Sequence, residues 1–332
     1  MKTKVDIISG FLGAGKTTLI KKLLEEELHK QKVVIIENEF GQVGIDGSIL
    51  KNSGIEIKEI NSGCICCTLV GDFGRAIEEV VEKYKPDRLI IEPSGVGKLS
   101  DVLKACNTPK IKDLVDVNVI MTVVDVLKYQ IYILNFGEFF ENQIKSAKTI
   151  ILSRTQKNDG KKLETITGNI RKLNPNANII TTPWDSLKAE RILAVAEQEA
   201  ALSLERQMKE SKKVIIKRHN HSDGCKCGCH ENHSHSHNAD EFFEVWGVET
   251  PKIYDEAELK AILKALDNEK SYGMILRAKG ILQFNKTQWL QFDYVPGEFE
   301  IKNTTADYTG RLCVIGKDLK TRELHNLFHV TV

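Results

Sequence analysis

The amino-acid sequence predicts an α/β fold in which a first domain with a mainly parallel sheet is followed by a smaller α+β domain. Apolar runs of strand length alternate with amphipathic stretches up to about residue 200, which is typical of parallel strands with helices on both faces. A polar segment rich in cysteine and histidine then interrupts this alternation. The length of 332 residues leaves room for about two domains.

Six apolar runs are the predicted strands of the first domain: residues 5–9, 33–37, 88–92, 117–125, 149–153 and 177–182. Between the first two, Leu19, Leu23 and their apolar neighbours recur at helical spacing, which predicts an amphipathic helix and one βαβ unit. Residues 185–210 are rich in Ala, Leu, Glu and Gln and begin with Asp185, a plausible N-cap, so a long helix is expected there.

The second domain is predicted from a helix near 255–267 and strands near 274–284 and 311–316. Its core is expected to contain three large side chains, Trp246, Met274 and Trp289. The chain is thereby divided into a first domain at 1–210, a Cys/His-rich loop at 211–240 and a C-terminal α+β domain at 241–332.

The charge, the apolar runs and the cysteines of the sequence indicate its partners and its cellular compartment. The net charge of +1 provides no broad field for nucleic acid or an anionic membrane, so neither is expected as a partner. The N-terminus lacks the apolar core of a signal peptide, and no apolar stretch reaches the roughly 18 residues of a membrane helix, so a cytoplasmic location is expected. Six of the eight cysteines fall in two tight clusters, which in a reducing compartment indicates metal binding rather than disulfides.

The stretch "GFLGAGKT" matches G-x-x-x-x-G-K-[ST] and stands between a predicted strand and a predicted helix. In such a P-loop, backbone N–H groups surround phosphate oxygens, the lysine reaches the outer phosphates and the final hydroxyl binds Mg²⁺. The expected nucleotide-binding residues are Gly10, Gly13, Ala14, Gly15, Lys16, Thr17 and Thr18. The alternative is a glycine-rich turn without a ligand. The motif in this context predicts a P-loop NTPase domain.

A second phosphate-side element is expected at the end of a neighbouring strand. Glu92 ends the predicted strand at 88–92 and would orient a water molecule on Mg²⁺, and Gly95 would sense the γ-phosphate. The alternative is a charged residue that merely ends a strand.

Four motifs in this order, "GFLGAGKTT", "ENEFGQVGID", "NSGCICCT" and "IIEPSG", resemble the CobW-like family of P-loop GTPases, metallochaperones related to the urease and hydrogenase nickel-insertion GTPases. The resemblance continues through "VWGVETP", "ILRAKGIL" and "GRLCVIGKDL" in the second domain. It implies a GTP-binding domain, a C-x-C-C metal site near the nucleotide switch, and a C-terminal domain that meets partner proteins.

The expected guanine-binding motif departs from the family pattern. Where these GTPases usually carry Asn-Lys-x-Asp, this chain has Ser153, Arg154, Thr155 and Gln156. An aspartate accepts two hydrogen bonds from the guanine edge, whereas Gln156 accepts only through its carbonyl. Arg154 is expected to lie over the base as the usual lysine does. The resemblance favours GTP, with ATP or relaxed specificity as the alternative.

The first thiol cluster, Cys64, Cys66 and Cys67, has a spacing unsuited to an internal disulfide and is expected to bind metal. The alternative is three small buried apolar side chains. The resemblance adds Glu37 as a carboxylate partner for Cys66 and Cys67. Two thiolates and one carboxylate would leave a coordination position open, which suits an ion that is passed on.

The second cluster lies in a polar stretch whose alternating histidines and cysteines provide several alternative ligand sets. The expected ligands are His219, His221, Cys225, Cys227, Cys229, His230, His233, His235 and His237. Many equivalent sites predict capture and transfer rather than one rigid site, and the alternative is a solvated linker that binds metal incidentally. Zn²⁺ is favoured, with Co²⁺ and Ni²⁺ as alternatives.

The sequence therefore predicts a GTP-dependent metallochaperone that delivers a transition metal, zinc first, to a client metalloprotein. Slow hydrolysis is expected, with Glu39 or Asp46 orienting the water. The alternatives are a metal buffer or sensor with weak nucleotide use and an ATP-using P-loop enzyme. A homodimer is compatible with the sequence.

Overall fold

The structure, a computed structural model, describes residues 2–37, 56–59, 69–157, 160–197, 244–285 and 287–330. The chain divides into two compact units, and the short segment Ala306–Thr309 belongs to the first unit although the residues on either side of it belong to the second. The domain borders predicted at 210 and 240 fall outside the described residues, so that division stays a prediction.

The first unit contains a seven-stranded sheet in the order β3-β2-β4-β1-β5-β6-β7, in which every pairing is parallel. Its strands are β1 Thr3–Gly10, β2 Val33–Glu37, β3 Glu56–Glu59, β4 Arg88–Glu92, β5 Val115–Asp125, β6 Thr149–Ser153 and β7 Asn178–Ile180. All six predicted apolar runs form strands, because a parallel strand covered on both faces needs apolar side chains on both.

Helices cover this sheet: α1 Lys16–Glu26, α2 Leu69–Tyr84, α3 Leu99–Cys106, α4 Pro109–Leu114, α5 Tyr129–Asn135, α6 Gly137–Ser146, α7 Gly160–Leu173 and α8 Ala189–Glu197. The predicted apolar stripe of α1 is confirmed, since Leu19, Ile20, Leu23 and Leu24 are buried in one core cluster. The α/β architecture predicted from the sequence is confirmed. None of the described helices combines the length and apolar character that crossing a bilayer requires.

The predicted helix at 185–210 begins later than expected. A short 3₁₀ turn occupies Trp184–Ser186, Leu187 is extended, and α8 begins at Ala189. Leu187 is buried in the core cluster that contains α1. The packing of this side chain in the core outweighs the local helix preference of the segment. The part beyond residue 197 lies outside the described residues.

An ionic cluster links strands and the end of α8 at the side of the sheet where β4 begins; Asp6 and Arg88 are buried in it, whereas Glu197 is exposed. Arg88 hydrogen-bonds to Asp6 and, at 2.9 Å, to Oε1 of Glu197, while Asn118 donates to both carboxylates at 3.0 Å. Burial raises the pKa of Asp6, although Arg88 and Asn118 oppose the rise. The hydrogen bonds between the Arg88 guanidinium and the two carboxylates compensate for charges whose burial would otherwise be unfavourable. This cluster is part of the structural core, and β1 and β4 continue from it towards the phosphate loop.

The second unit is an antiparallel sheet in the order β11-β10-β9-β12-β8 with helices α9, α10 and α11. The elements are β8 Glu244–Thr250, α9 Glu256–Ala265, α10 Glu269–Tyr272, β9 Met274–Gln283, β10 Trp289–Val295, β11 Glu298–Thr304, β12 Gly310–Lys317 and α11 Thr321–Leu327. The predicted α+β domain is confirmed.

Two of the three predicted core residues of this unit are confirmed. Trp246 and Trp289 are buried, whereas Met274 is 45% exposed. Successive residues of a strand face opposite sides, and the neighbouring Ile275 is buried in the helix-covered core. Strand alternation therefore turns Met274 away from that core.

Candidate nucleotide site

The loop between β1 and α1 has the backbone shape that phosphate binding requires. Gly15 caps α1 in a left-handed conformation with φ of 105°. A Cβ atom on Gly15 would lie 2.9 Å from Cη2 of Trp184, so both the conformation and the close approach require glycine. Gly13 and Thr18 are exposed and Gly10 and Ala14 are buried. The loop leads into a helix N-terminus, where backbone N–H groups and the helix dipole favour anions.

Three predicted phosphate-side residues meet at the start of α1. The hydroxyl of Thr17 donates to Glu92, with 3.0 Å to Oε1 and 3.2 Å to Oε2. Nζ of Lys16 lies 3.8 Å from Oε1 of the same carboxylate. Lys16 and Glu92 are both buried, so these charges interact in an environment that screens them weakly. The end of β4 thus provides the carboxylate that holds the first turn of α1.

These groups fit a Mg²⁺ ion bound together with a nucleotide. A hydroxyl and a carboxylate are hard oxygen ligands, and they stand directly beside the phosphate loop. Mg²⁺ normally keeps several waters and shares its coordination with substrate phosphates, so a complete cage of protein ligands is not required. The donor set at Thr17 and Glu92 matches that chemistry.

Gly95 joins the phosphate loop to a buried glutamine. A Cβ on Gly95 would lie 2.8 Å from the backbone nitrogen of Leu12, so only glycine allows this approach. Nε2 of Gln143 donates to the carbonyl oxygens of Gly95 at 3.1 Å and Gly97 at 2.9 Å. Gln143 is fully buried on α6 and was not singled out from the sequence, because nothing near it in the chain indicates that it reaches this loop. It holds Gly95 against the tip of the phosphate loop.

The turn after β6 carries the residues that replace the guanine motif. Ser153 ends β6 and is buried, and Gln156 is exposed in a 3₁₀ turn. Arg154 has a positive φ of 61°, and its guanidinium bonds Oδ2 of Asp125 at 2.5 Å and the carbonyl of Gly13 at 2.9 Å. Arg154 therefore ties the ends of β5 and β6 to the phosphate loop. The sequence identified Arg154 but missed its buried partner Asp125.

Glu37, the carboxylate that the resemblance adds to the C-x-C-C motif, ends β2. It is buried, and its Cα is paired with that of Glu92 on the neighbouring strand β4. The carboxylate predicted to bind transition metal and the carboxylate predicted to serve Mg²⁺ thus occupy matching positions on adjacent strands.

The other predicted ligands and catalytic groups lie outside the described residues: Glu39, Asp46, Cys64, Cys66, Cys67, His219, His221, Cys225, Cys227, Cys229, His230, His233, His235 and His237. Within the described part of the chain, no group of three or more His, Cys, Asp or Glu side chains is arranged to hold a metal ion.

Comparison with protein-family models shows to which family this chain belongs. The model of the CobW/HypB/UreG nucleotide-binding domain matches residues 4–181, which is more than half of the chain. The chain belongs to the CobW/HypB/UreG family. The model of the cobalamin synthesis protein cobW C-terminal domain matches residues 243–332. The resemblance predicted from the motifs is thereby confirmed for both parts of the protein.

Named relatives of this CobW/HypB/UreG-family protein cover part of the chain. It is 35% identical over 193 residues to the zinc chaperone CobW of a Sinorhizobium species, covering 50% of this chain and 54% of the relative. The zinc chaperone YeiR of Escherichia coli is 34% identical over 155 residues, with 47% of each chain covered. The zinc-regulated GTPase metalloprotein activator 1 of Dictyostelium discoideum is 25% identical over 234 residues, covering 58% of this chain and 48% of the relative. The chain spans about half the length of these curated relatives.

Proposed function

We propose that this CobW/HypB/UreG-family chain is a GTP-dependent metallochaperone. It binds Mg·GTP at the phosphate loop, holds a transition metal at the C-x-C-C motif and passes the metal to a client metalloprotein as GTP is hydrolysed. The proposal rests on the contacts that Lys16 and Thr17 make with Glu92, and on the position of Glu37 at the end of the adjacent strand. The names of the relatives, zinc chaperones and a zinc-regulated GTPase activator, support zinc as the metal and GTP as the nucleotide.

Each phosphate-side residue has a distinct role in the proposed reaction. Backbone N–H groups from Gly13 to Lys16 bind phosphate oxygens, and the Lys16 ammonium leaves Glu92 to neutralise the outer phosphates. Thr17 and Glu92 would hold Mg²⁺, which would supply further charge neutralisation. The hydrolytic water is oriented by Glu39 or Asp46, which remains a proposal from the sequence.

The metal side of the proposal rests on Glu37 and the thiol motif. Cys64, Cys66 and Cys67 follow β3 in the sequence, and Glu37 ends the strand β2 that pairs with β3. Thiolates with one carboxylate select a borderline-soft ion, so Zn²⁺ is favoured, with Co²⁺ and Ni²⁺ as weaker candidates. The Cys/His-rich segment at 219–237 collects ions that the C-x-C-C motif then receives.

Substitution of Lys16 tests the nucleotide half of the proposal. Lys16→Ala is expected to abolish GTP hydrolysis, because no other described side chain of the phosphate loop is cationic. The loss of the buried ion pair with Glu92 is expected to lower the free energy of unfolding by about 3–5 kcal/mol without unfolding the protein. Phosphate release and thermal unfolding are measured, with the partly exposed Lys21→Ala on the same helix as the matched control. Turnover retained by the folded Lys16→Ala protein contradicts the assigned site.

The turn Ser153–Gln156 favours one competing function, an ATP-using P-loop enzyme. Gln156 replaces the aspartate that distinguishes guanine, so adenine is penalised less than in a protein with the full motif. Hydrolysis measured with GTP and ATP at equal concentration separates the two functions. Faster turnover of ATP, or phosphate transferred to a metabolite, favours the competing function.

A further inference from the structure

A tryptophan that the sequence did not single out lies against the phosphate loop. A Cβ on Gly15 would be 2.9 Å from Cη2 and 3.4 Å from Cζ2 of Trp184, so the indole edge contacts the loop where it enters α1. Trp184 stands in the 3₁₀ turn after β7 and is only partly buried. The ring also packs against the core cluster that contains α1, and the rest of its aromatic surface remains exposed.

The strand order shows which end of a nucleotide reaches this ring. Glu92 ends β4 on one side of β1, whereas β5, β6 and β7 follow on the other side. Glu92 marks the Mg²⁺ and outer-phosphate end through Thr17 and Lys16. In an open α/β sheet the ligand lies across the carboxyl ends of the strands. The nucleoside end therefore extends over β5 to β7, where Arg154 and Trp184 follow consecutive strands.

We propose that Trp184 forms one wall of the base pocket and stacks on the purine of the bound nucleotide, with Arg154 on the opposite side. The proposal rests on the nucleotide binding proposed above. Stacking on an aromatic side chain is available to every base, and a purine offers the larger face. Trp184 therefore increases affinity for purine nucleotides without selecting guanine over adenine. That selection is left to the turn that contains Ser153 and Gln156.

The loop that carries Trp184 is fixed at both ends within the first unit. The backbone N–H groups of Thr181 and Thr182 donate to the carbonyl of Tyr308 at 2.9 Å and 3.2 Å. At the other end, the N–H of Ala189 donates to Oε2 of Glu26 on α1 at 2.9 Å. A ring held in place before the ligand arrives loses little conformational freedom on binding. The indole itself packs against the core cluster around α1 and against Gly15, so it is preorganised as a stacking surface.

The test uses the full chain and three probes: GDP, ADP and pyrophosphate, each with Mg²⁺. Trp184→Leu is expected to weaken both GDP and ADP by about tenfold, since one stacked base contributes a factor of this order, and to leave pyrophosphate affinity unchanged. Trp184→Phe, which keeps a ring, is expected to restore most of the affinity. Titration calorimetry measures all nine affinities, with wild type as reference.

A second measurement leaves Trp184 in place, because a folding defect in Trp184→Leu would also lower nucleotide affinity. The chain has three tryptophans, so Trp246→Phe with Trp289→Phe in the second unit leaves Trp184 as the only one. GDP is expected to quench its emission, and pyrophosphate is not.

The outcomes separate the two proposals. Unchanged GDP affinity in Trp184→Leu, an equal loss of GDP and pyrophosphate affinity, or constant emission on GDP binding would overturn the role of Trp184. Failure of the wild-type protein to bind GDP at all overturns the proposed function instead.

Discussion

At the scale of single residues, Arg154 explains how a non-standard base motif is compatible with an ordered site. Its backbone lies in the left-handed region, which costs energy for a residue with a side chain. The guanidinium is bonded to the buried carboxylate of Asp125 and to the carbonyl of Gly13, and charge-assisted bonds of this kind offset that cost. Arg154 therefore fixes the turn, whereas Gln156 beside it is exposed and available to a ligand.

Restoring the usual motif tests the base-selecting role of this turn. Ser153→Asn with Gln156→Asp is expected to strengthen GTP binding relative to ATP binding by about 1–3 kcal/mol. Aspartate accepts both hydrogen bonds that the guanine edge donates, so no guanine donor is left without an acceptor. Competition titration with GTP and ATP gives the ratio for both proteins. Lys157→Asp, which places the new carboxylate one residue further along the turn, is the control. An unchanged ratio in the double variant means that the base is selected elsewhere.

The sequence predicted the phosphate-side residues better than the base-side residues for a physical reason. Lys16 and Thr17 follow a glycine motif, and Glu92 ends an apolar strand, so chain position alone brings them to one edge of a parallel sheet. Asp125 also ends a strand, but it was included in the apolar run rather than considered as a partner of Arg154. That pairing depends on the neighbouring β5 and β6, which local patterns do not specify.

At the scale of elements, the loop from β7 to α8 depends on a segment from the far end of the sequence. The hydroxyls of Thr181 and Thr309 lie 2.9 Å apart although they are 128 positions apart in the chain. Nε and Nη2 of Arg191 both donate to Oδ1 of Asp307, at 3.1 Å and 2.6 Å, and the N–H of Tyr308 donates to the same oxygen at 2.7 Å. One carboxylate thus orders both the loop and the segment.

Removal of that carboxylate is expected to loosen the loop. Asp307→Ala leaves the Tyr308 N–H without its acceptor and Arg191 without its ion pair, so we expect a loss of about 1–3 kcal/mol in the free energy of unfolding. Asp293→Ala removes ion pairs with Arg277 and Lys279, in which all the side chains are partly exposed, and the expected loss is below about 1 kcal/mol. Denaturant unfolding followed by circular dichroism, which reports on both units, compares the two. Equal losses contradict the anchoring role of Asp307.

This anchoring also shows where prediction from the sequence fails. The alternation of apolar runs predicted six of the seven strands of the parallel sheet, because burial on both faces leaves a clear local pattern. The predicted start of α8 was wrong because Leu187 is extended and its side chain is buried in the core. Residues 306–309 give no local indication that they belong with the first unit, since their partners are distant in sequence.

At the scale of the whole molecule, the proposed function requires that nucleotide and transition metal influence each other. Glu37 and Glu92 occupy paired positions on β2 and β4, so a cation bound at one lies close to a cation bound at the other. Like charges in a weakly screened interior repel, so the occupancy of one site changes the affinity of the other. The Cys/His-rich segment at 219–237 follows the first domain in the sequence and is expected to bind metal independently of this pair.

The linkage between the two ligands gives the last prediction. If Mg·GTP changes zinc affinity by a factor, typically about 5 to 150, zinc must change GTP affinity by the same factor. Zinc is titrated against a competing chelator with GDP and with a non-hydrolysable GTP analogue. Cys66→Ser with Cys67→Ser is expected to erase the difference, while deletion of 219–237 lowers the number of bound ions but preserves both the difference and GTP hydrolysis.

The matched control for the thiol variant is Cys106→Ala. Cys106 is buried in the core of the first unit, and burial raises the pKa of its thiol to about 12, so we do not expect it to serve as a zinc ligand. Its substitution is therefore expected to leave the linkage intact. If loop-deleted protein binds zinc with the same affinity in both nucleotide states, the two sites are independent. The chain then acts as a metal buffer, and hydrolysis at the phosphate loop has no part in delivering the metal.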